Sequence, residues 1–531
     1  MRWLVRSAIV LLTILSLMGL ACSTQPPIDM AEAAIAIQPP LSTRGADIVD
    51  ATGRSVLLRG VNWFGLETEA HTPHGLWLRD YKEMLGQIKS LGYNTIRLPY
   101  SVQGLRESKV SGINFDLGSN RELQGKTPLE VMDLLIQEAG RQGLLILLDS
   151  HRLNNQRIPE LWYGDGFTEA DWIGTWTMLA ERYKNQPNVI GADLKNEPHG
   201  RASWGTNNKA TDWRLAAERS GNAILKVNRN WLIVVEGVEN NVPGQRLKRH
   251  WMGGNLEGVR RFPVRLSVRN QLVYSPHEYG PGVFNQPWFA ERSFPRNMPD
   301  RWETGFFYIA RQKIAPILVG ELGGRQVDAV SKEGIWQRKF VDFLQRNKLS
   351  FAYWSWNPNS KDTGGILLDD WKAIDQPKQQ LLSQLLPAPT MRPILALPQP
   401  VPTPTSSPQP TPISKPTSRK PMSRTNGGAI AQLQPRLVVQ SDWGAGFCVS
   451  LQVTNQGETP VENWQLQFQM AQSTIDQRWN GVFQSQGLRY TVIPADWGRV
   501  VQPNQTIDMG FCAKKLGTDY LPKRLLITKS N

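Results

Sequence analysis

Two stretches of the chain decide its fold, VIGADLKNEP at residues 189–198 and PILVGELGG at residues 316–324. In each stretch an apolar, strand-like run leads directly to one glutamate, Glu197 in the first and Glu321 in the second. Parallel strands of a barrel deliver the side chains at their C-terminal ends to one shared face. We therefore predict that the two glutamates meet at that face.

A pair of carboxyl groups at one barrel face suits the hydrolysis of glycosidic bonds by double displacement. One carboxyl group must be ionised to attack the anomeric carbon, and the other must be protonated to release the leaving oxygen. Either stretch alone is a weak signal, because a glutamate after a strand can simply stabilise the start of the next helix. The two stretches together, with the pattern of the remaining chain, favour the catalytic interpretation.

The same alternation of a short β-branched run and a longer amphipathic segment repeats from residue 56 to about residue 371. One such segment, 81–92, places Met84, Leu85, Ile88 and Leu91 on one helical face and stops at a glycine. Eight units of this kind predict a (β/α)8 barrel, in the α/β class. The predicted strands are 56–63, 95–100, 144–151, 189–197, 231–237, 272–279, 316–323 and 350–357.

Polar and aromatic residues that are unusual inside a sheet cluster where these strands end. In a barrel of this type the active site lies on that face. The positions are Asn62, Arg97, His151, Asn196, Glu197, His277, Tyr279, Glu321 and Trp354.

With these positions located, residues 43 to about 380 resemble glycoside hydrolase family 5, specifically its bacterial endo-β-1,4-glucanases. The resemblance rests on a series of motifs in the expected order: GVNWFG at 60–65, HGLW at 74–77, NTIRLPYS at 94–101, DLKNEPH at 193–199, WSWNPNS at 354–360 and DTGGIL at 362–367.

The resemblance implies a retaining endoglucanase that hydrolyses cellulose. One alternative keeps the mechanism and changes the polymer to mannan, xyloglucan or mixed-linkage glucan, because the family acts on all of these. A second alternative is a surface protein that binds cellulose without cleaving it. The intact Glu197 and Glu321 count against that second alternative.

By position, the resemblance implies that Glu197 is the general acid/base and Glu321 the nucleophile. Glu197 would need a raised pKa to keep its proton until it acts as the acid. Arg97 and Tyr279 would hold Glu321 ionised through hydrogen bonds. The remaining supporting residues are Asn196, which would bind the sugar 2-hydroxyl, and His151 and His277, which would hydrogen-bond substrate or order the carboxylates.

Three tryptophans of the predicted barrel match sugar-binding positions of the family. Trp354 would offer a flat face to a pyranose ring at the cleavage point, and Trp77 and Trp251 would do so further along the cleft. Close relatives carry a second tryptophan where this chain has Met252, which weakens the expectation of a distal sugar subsite.

The N-terminus has the pattern of a bacterial export signal. A short basic region containing Arg2 and Arg6 precedes an apolar run from residue 8 to 21, which is short for a membrane span. We expect a signal peptide over residues 1–21 and a secreted protein. A loose lipoprotein cleavage box before Cys22 leaves a lipid-anchored surface protein as the alternative.

The C-terminal part of the chain changes composition twice. Residues 387–436 contain a Pro/Ser/Thr-rich segment that predicts an extended linker. Residues 437–531 return to strand-like alternation, at 448–454, 464–470, 488–493, 505–512 and 524–529, and predict a small β-sandwich.

The sandwich region resembles family 2 carbohydrate-binding modules, which bind cellulose. In those modules three tryptophans on one face stack on the sugar rings, and the matching positions are Trp443, Trp479 and Trp497. Trp464 matches the buried core tryptophan. The family usually links its chain ends by a disulfide, whereas this chain has Cys448 and Cys512 inside predicted strands, from which we infer a cross-strand bridge.

Composition adds few further expectations. The net charge of +14 comes from scattered lysines and arginines, with no dense basic run and no nucleic-acid-binding motif. The six histidines show no metal-binding spacing. The two resemblances imply cellulose or a related β-glucan as the partner, and we expect no nucleic acid, protein partner, cofactor or metal.

Overall fold

The computed structural model describes residues 37–387, 432–443, 446–479, 481–494, 499–503 and 505–529. The expected signal peptide at 1–21, Cys22 and most of the expected linker lie outside these residues. None of the helices within them combines the length and the apolar character needed to cross a membrane.

A three-stranded antiparallel sheet opens the described chain and precedes the barrel. It contains β1 (Ser42–Arg44), β2 (Asp47–Val49) and β3 (Ser55–Val56). Eight parallel strands then form the barrel: β4 (Arg59–Asn62), β5 (Thr95–Ser101), β6 (Leu145–Arg152), β7 (Val189–Asp193), β8 (Leu232–Glu236), β9 (Leu272–Ser275), β10 (Leu318–Leu322) and β11 (Ser350–Tyr353).

The eight strands follow one another around the barrel in chain order. β11 pairs with both β10 and β4, and two isolated bridges, Tyr274 to Ile317 and His277 to Glu321, join β9 to the β10 side. Each of the eight strands predicted from sequence is present. The prediction of a (β/α)8 barrel is confirmed.

Helices lie in every connection between barrel strands except that from β8 to β9, where residues 237–271 contain turns and no helix. The predicted helix at 81–92 ends at Ser90, and the Asp80 side chain caps its first turn. Two other helices begin with a capping box, in which Thr127 and Thr168 are the N-cap residues. The α-helices are Tyr81–Ser90, Pro128–Arg141, Glu169–Arg182, Trp213–Val227, Met298–Trp302, Tyr308–Arg311, Lys332–Asn347 and Gln376–Leu382. Short 3-10 turns span Gly104–Arg106, Gly118–Leu123, Pro287–Phe289 and Ser383–Leu385, and a π-helical turn spans Glu303–Phe307.

The alternation of side chains along the strands separates two apolar layers. On β6, Ile146 and Leu148 pack in the large cluster that includes the helices, whereas Leu145 and Leu147 belong to a second cluster contributed mainly by other strands. Because side chains alternate between the two faces of a strand, the residue that continues the inner row after Leu147 is Asp149. The inner row therefore changes from apolar to charged toward the C-terminal ends of the strands.

The C-terminal region is an all-β structure with two four-stranded sheets and a separate strand pair. The sheet orders are β12-β13-β20-β16 and β17-β18-β15-β21, and β14 pairs with β19. The strands are β12 (Leu433–Trp443), β13 (Gly446–Asn455), β14 (Val461–Glu462), β15 (Trp464–Gln469), β16 (Ser473–Trp479), β17 (Gly481–Gln486), β18 (Arg489–Pro494), β19 (Val500–Val501), β20 (Thr506–Lys515) and β21 (Lys523–Lys529).

All five strands predicted for this region are present, and Trp464 is buried in its core as expected. The boundaries differ from those predicted. β12 begins at Leu433, inside the segment taken as linker, and contains Pro435, which is tolerated because β12 is an edge strand of its sheet. At the other end of the barrel region, helical structure continues to Leu385, beyond the expected limit of residue 380.

The register of β13 and β20 brings two cysteines together. Cys448 lies directly opposite Cys512 in this antiparallel pair, and Cys512 is disulfide-bonded. Directly opposed residues of antiparallel strands have Cα atoms roughly 4.5–5.5 Å apart, which a disulfide can span. The register therefore supports the cross-strand bridge inferred from the sequence.

Replacing both Cys448 and Cys512 by serine is expected to destabilise the β-sandwich. The closed loop of about 65 residues is worth roughly 4 kcal/mol in the chain-entropy model. Calorimetry of the oxidised protein should show one thermal transition moving to lower temperature in the double variant. Activity on soluble substrate is the control and should not change, whereas an unchanged melting profile would contradict the bridge as a stabilising element.

Candidate active site

The polar network at the C-terminal ends of the barrel strands is organised by Arg97 of β5. Its side chain is completely buried and donates hydrogen bonds to side chains from five other positions. The acceptors are Asp193 (Nε, 2.8 Å), Asn62 (Nη1, 2.9 Å), Glu321 (Nη1, 2.8 Å), Asn196 (Nη2, 2.9 Å) and Glu236 (Nη2, 3.1 Å), and an oxygen of Asp149 lies 3.1 Å from Nη1.

Glu321 is held by two hydrogen bonds that favour its carboxylate. Arg97 Nη1 donates to one oxygen at 2.8 Å, and the Tyr279 hydroxyl donates to the other at 2.6 Å. The register between β10 and β11 shifts between Val319 and Leu322, both of which belong to the apolar cluster that includes the helices. Strict alternation would send Glu321 to that same side, so the irregularity turns its side chain into the barrel.

Glu197 lies just beyond the end of β7 and has a left-handed backbone, with φ of +49°. This conformation is unfavourable for a residue with a β-carbon, at a cost of about 1–3 kcal/mol. The Glu197 N–H donates to Glu236 Oε2 at 2.7 Å, which holds the main chain in this conformation. The Glu197 side chain is 14% exposed, compared with 4% for Glu321.

The two glutamate side chains and His277 form a compact group. One oxygen of Glu197, one oxygen of Glu321 and a nitrogen of His277 lie within 4.8 Å of one another. His277 Nδ1 is 3.2 Å from Glu197 Oε1 and 3.5 Å from Glu321 Oε2. Retaining glycosidases hold their two carboxyl groups about 5–5.5 Å apart, whereas inverting enzymes need about 6.5–9.5 Å. The separation of the Glu197 and Glu321 carboxyl groups therefore fits a retaining enzyme.

The two carboxyl groups share their protonation because each charge opposes the other. Burial raises the pKa of Glu321 to about 7, the charge of Glu197 adds to this, and His277, Arg97 and Tyr279 oppose it. Burial also raises the pKa of Glu197, but its hydrogen bond with His277 and the charge of that imidazole bring the pKa below its usual value.

The raised pKa that we expected for Glu197 from the sequence therefore falls on Glu321 in this structure. The cause is His277, whose pKa burial lowers and the surrounding carboxylates of Glu236, Glu321 and Glu197 raise well above its usual value. A charged imidazole close to Glu197 favours the negative charge there. With a neutral imidazole, Arg97 and Tyr279 are the dominant groups, and the charge is favoured on Glu321.

His151 and Trp354 form one wall beside this centre. Their rings stack at 5.4 Å, and Phe64 stacks on Trp354 at 5.3 Å. His151 Nδ1 lies 2.7 Å from Asp149 Oδ2, and burial places the pKa of His151 well below its usual value. A neutral His151 that donates from Nδ1 to Asp149 leaves Nε2 as a hydrogen-bond acceptor.

The other two predicted sugar-binding tryptophans lie in different surroundings. Trp251 is 8% exposed and contacts Tyr279 edge-on at 5.8 Å, and its indole N–H has no partner among the described residues. Trp77 is half-buried and packs edge-on against Trp371 at 4.8 Å. Only Trp251 and Trp354 therefore contact residues of the predicted catalytic group.

Sequence analysis missed three buried acids that complete the Arg97 network: Asp149, Asp193 and Glu236. Burial raises the pKa of Asp149 and of Asp193 to about 6 and that of Glu236 to about 7. The available signal was an acid at an inward position near the end of a predicted strand. A buried lysine, Lys195, also escaped notice, and burial lowers its pKa to about 8.

Two sets of three side chains within the described residues bring potential metal ligands together, Asp193 with Glu236 and His277, and Glu197 with His277 and Glu321. In both sets Arg97 already donates to at least one carboxylate. Its fixed positive charge at the centre opposes a cation at the same place. We therefore assign Asp193, Glu236 and Glu321 to the arginine network.

Less can be said of the predicted cellulose-binding tryptophans. Trp443 ends β12 and Trp479 ends β16, but their side chains, and Trp497 entirely, lie outside the described residues.

A (β/α)8 barrel with two carboxyl groups this close on its catalytic face defines a retaining glycoside hydrolase. The sequence profile described as "Cellulase (glycosyl hydrolase family 5)" matches residues 49–360, and the profile "Cellulose binding domain" matches residues 434–530. The chain belongs to glycosyl hydrolase family 5. It is an endoglucanase with a C-terminal cellulose-binding domain.

Named relatives agree with this classification. The chain is 53% identical to an endoglucanase of Paenibacillus polymyxa over 357 residues, which cover 67% of this chain and 88% of the relative. It is 39% identical over 467 residues to the major extracellular endoglucanase of Xanthomonas campestris, and these residues cover 88% of this chain and 93% of the relative. Among solved structures, a hyperthermophilic endocellulase of Pyrococcus horikoshii shares 44% identity at a TM-score of 0.62, covering 66% of this chain and 100% of that one.

Because the Glu197 and Glu321 carboxyl groups share one proton, we predict a bell-shaped dependence of kcat/KM on pH. The pair must carry one proton, because with two it has no ionised nucleophile and with none it has no acid. Since the higher pKa of the pair is about 7, activity should fall as the pH rises above about 7. Initial rates on cellotetraose, an uncharged substrate, would measure this limb, and full activity retained two pH units higher would contradict it.

Proposed function

We propose that Glu321 is the nucleophile and Glu197 the general acid/base of this endoglucanase. In the first step a Glu321 oxygen bonds to the anomeric carbon, the glycosidic C–O bond breaks, and the Glu197 proton passes to the leaving oxygen. In the second step Glu197 takes a proton from water, the water oxygen bonds to the anomeric carbon, and Glu321 leaves. Two inversions give net retention.

The observation that carries this assignment is the different environment of the two carboxyl groups. Glu321 accepts from a permanently charged guanidinium and from a hydroxyl, so its carboxylate is stabilised when a neutral His277 faces it. The Glu197 side chain contacts the titratable imidazole of His277 at 3.2 Å instead of a guanidinium, and it is more exposed. A group that exchanges protons with a leaving oxygen and then with water needs that access.

Asn196 and Tyr279 have separate proposed roles. Asn196 Oδ1 accepts from Arg97, which directs the amide nitrogen away, and this buried Nδ2 has no partner among the described residues. It is free to donate to the sugar 2-hydroxyl, an interaction that strengthens in the transition state. Tyr279 would position Glu321 and then stabilise the departing carboxylate in the second step.

For substrate binding, we propose that Trp354 stacks on the sugar at the cleavage point and that Trp251 and Trp77 contact the glucan chain further along. His151 would accept from a sugar hydroxyl through Nε2. Cellulose is the substrate we favour, and a parallel reducing-sugar assay on carboxymethylcellulose, mannan, xyloglucan and mixed-linkage glucan tests the choice. Highest activity on mannan or xyloglucan would select the alternative polymer.

We further propose the modular arrangement expected from the sequence, with the boundaries that the structure gives: an exported protein with a barrel region that ends near Leu385, a linker, and a cellulose-binding module that begins at Leu433. Trp443, Trp479 and Trp497 would bind the cellulose surface. Similarity to an extracellular endoglucanase supports export. Mass spectrometry of the mature N-terminus distinguishes cleavage after residue 21 from a lipid on Cys22.

Substituting either catalytic glutamate by glutamine should separate the two roles. Glu321→Gln is expected to abolish hydrolysis of all substrates, because it removes the attacking carboxylate. Glu197→Gln should lower kcat/KM by about 10²–10⁴-fold on cellotetraose, the size of a general-acid contribution. It should have little effect on kcat/KM for dinitrophenyl cellobioside, whose leaving group needs no acid.

Glu278→Gln is the matched control for these variants. Glu278 is also buried, with its pKa raised to about 7 by burial, but its side chain hydrogen-bonds Trp302 and does not reach the catalytic group. Its variant should retain activity. Product of inverted anomeric configuration, seen by NMR during the first turnovers, would refute the assignment of Glu321.

Ending the chain near residue 400 should affect soluble and crystalline substrates differently. Activity on carboxymethylcellulose should be nearly unchanged, while activity on crystalline cellulose should fall because the enzyme is no longer concentrated at the surface. The matched control is the full chain with Trp443, Trp479 and Trp497 all replaced by alanine, which should reproduce the truncated behaviour. Equal losses on both substrates would refute the independence of the two modules.

A further inference from the structure

Glu236 contacts both halves of the catalytic machinery and has no place in the scheme above. It is the last residue of β8 and is completely buried. One oxygen, Oε2, accepts from the Glu197 N–H at 2.7 Å. The other, Oε1, accepts from Arg97 at 3.1 Å and lies 3.2 Å from His277 Nε2.

We propose that Glu236 is a positioning residue for the hydrolysis, acting through Glu197 and His277. One oxygen fixes the main chain of the acid/base, and the other fixes the imidazole that lies between the two catalytic carboxyl groups. This inference rests on the role proposed above for Glu197. Glu236 itself touches neither the reacting atoms nor, on this geometry, the substrate.

The first contact determines where the Glu197 side chain points. Glu197 has a left-handed backbone, and its N–H is directed at the Glu236 carboxylate. Gly253, with φ of +71°, makes room for this contact, because a β-carbon there would lie 2.4 Å from Glu236 Oε2. A charged acceptor at this point offsets the strain at Glu197 and fixes the direction of its side chain.

The second contact determines the charge of His277. The imidazole faces Glu236 with Nε2 and the catalytic pair with Nδ1. A carboxylate behind the ring favours the imidazolium, which in turn lowers the proton affinity of the pair. Other charged or titratable groups also face this cluster: Arg97, Asp149, Asp193, Lys195, Tyr279, His151 and His199.

Two substitutions separate these contacts in the full-length protein. Glu236→Gln keeps the shape and an acceptor for the Glu197 N–H but removes the charge behind His277. Glu236→Asp keeps the charge but is one methylene shorter and cannot reach both partners. Glu278→Gln again controls for the loss of a buried carboxyl group.

Glu236→Gln should move both limbs of the pH profile for cellotetraose to higher pH, because a neutral His277 stabilises the pair's charge less than an imidazolium does. At the parent optimum the pair in Glu236→Gln then holds two protons, so we expect kcat to fall about 10- to 100-fold, as a limb moved by about one to two pH units gives. Because the second proton removes the ionised nucleophile, the loss should be similar for dinitrophenyl cellobioside at that pH. Glu236→Asp should keep the parent pH limbs and lose kcat on cellotetraose, with a much smaller loss in kcat/KM for dinitrophenyl cellobioside, because the displaced acid is not needed there.

A purely structural role would give a different result. The inference would be overturned if Glu236→Gln kept the pH limbs of the parent enzyme, or if both variants lost equal activity on the two substrates. An unchanged kcat in the two variants would overturn it as well. If Glu236→Gln does not fold, as judged by its thermal transition, the leaving-group dependence of Glu236→Asp decides. If the loss of activity depends on the leaving group in Glu197→Gln but in neither Glu236 variant, the role of Glu236 alone is refuted. If the loss in Glu197→Gln does not depend on the leaving group, the proposed role of Glu197 is refuted.

Discussion

The barrel mouth depends on one buried cation. Arg97 is completely removed from solvent, and an uncompensated guanidinium in that position would destabilise the fold by several kcal/mol. Its compensation comes from four carboxylates on four different strand ends, namely Asp149, Asp193, Glu236 and Glu321. The arginine therefore links strands around much of the barrel and fixes the height at which their C-terminal ends meet.

The carboxylates around Arg97 outnumber its one positive charge, and this excess of acids has chemical consequences. Arg97 supplies one positive charge to four nearby carboxylates, and Glu197 adds a fifth acid next to them. Burial raises the pKa values of Asp149, Asp193, Glu236 and Glu321, and the charge of a neighbouring acid adds to the rise at each of them. A site that must keep one of two close carboxyl groups protonated near neutral pH obtains that property from burial together with the crowding of acids.

The sequence predicted the eight strands and the placement of Glu197 and Glu321 at one barrel face, because apolar runs and strand-end polar residues are local signals. The contacts of Arg97 and Tyr279 with Glu321 were expected from the resemblance to the family. The sequence did not predict the contacts of Asp149, Asp193 and Glu236, since a lone acid in an apolar strand has no visible partner until the strands are arranged. It also gave no indication that β10 is irregular at Glu321. The start of β12 was missed because Pro435 lies within it, and a proline in a short apolar run argues against a strand.

The backbone placement of the two glutamates is consistent with their proposed division of labour. Glu321 lies within a barrel strand, nearly excluded from solvent and bonded at both oxygens, which suits a nucleophile that must not be displaced by water. Glu197 lies beyond the end of its strand in a left-handed conformation and is more exposed, which suits a group that must release a proton to one oxygen and accept one from another. A regular strand could not supply both environments within the same few ångströms. The local departures from regular geometry, a register shift before one glutamate and a strained main chain at the other, are therefore what bring two chemically different carboxyl groups within reach of one glycosidic bond.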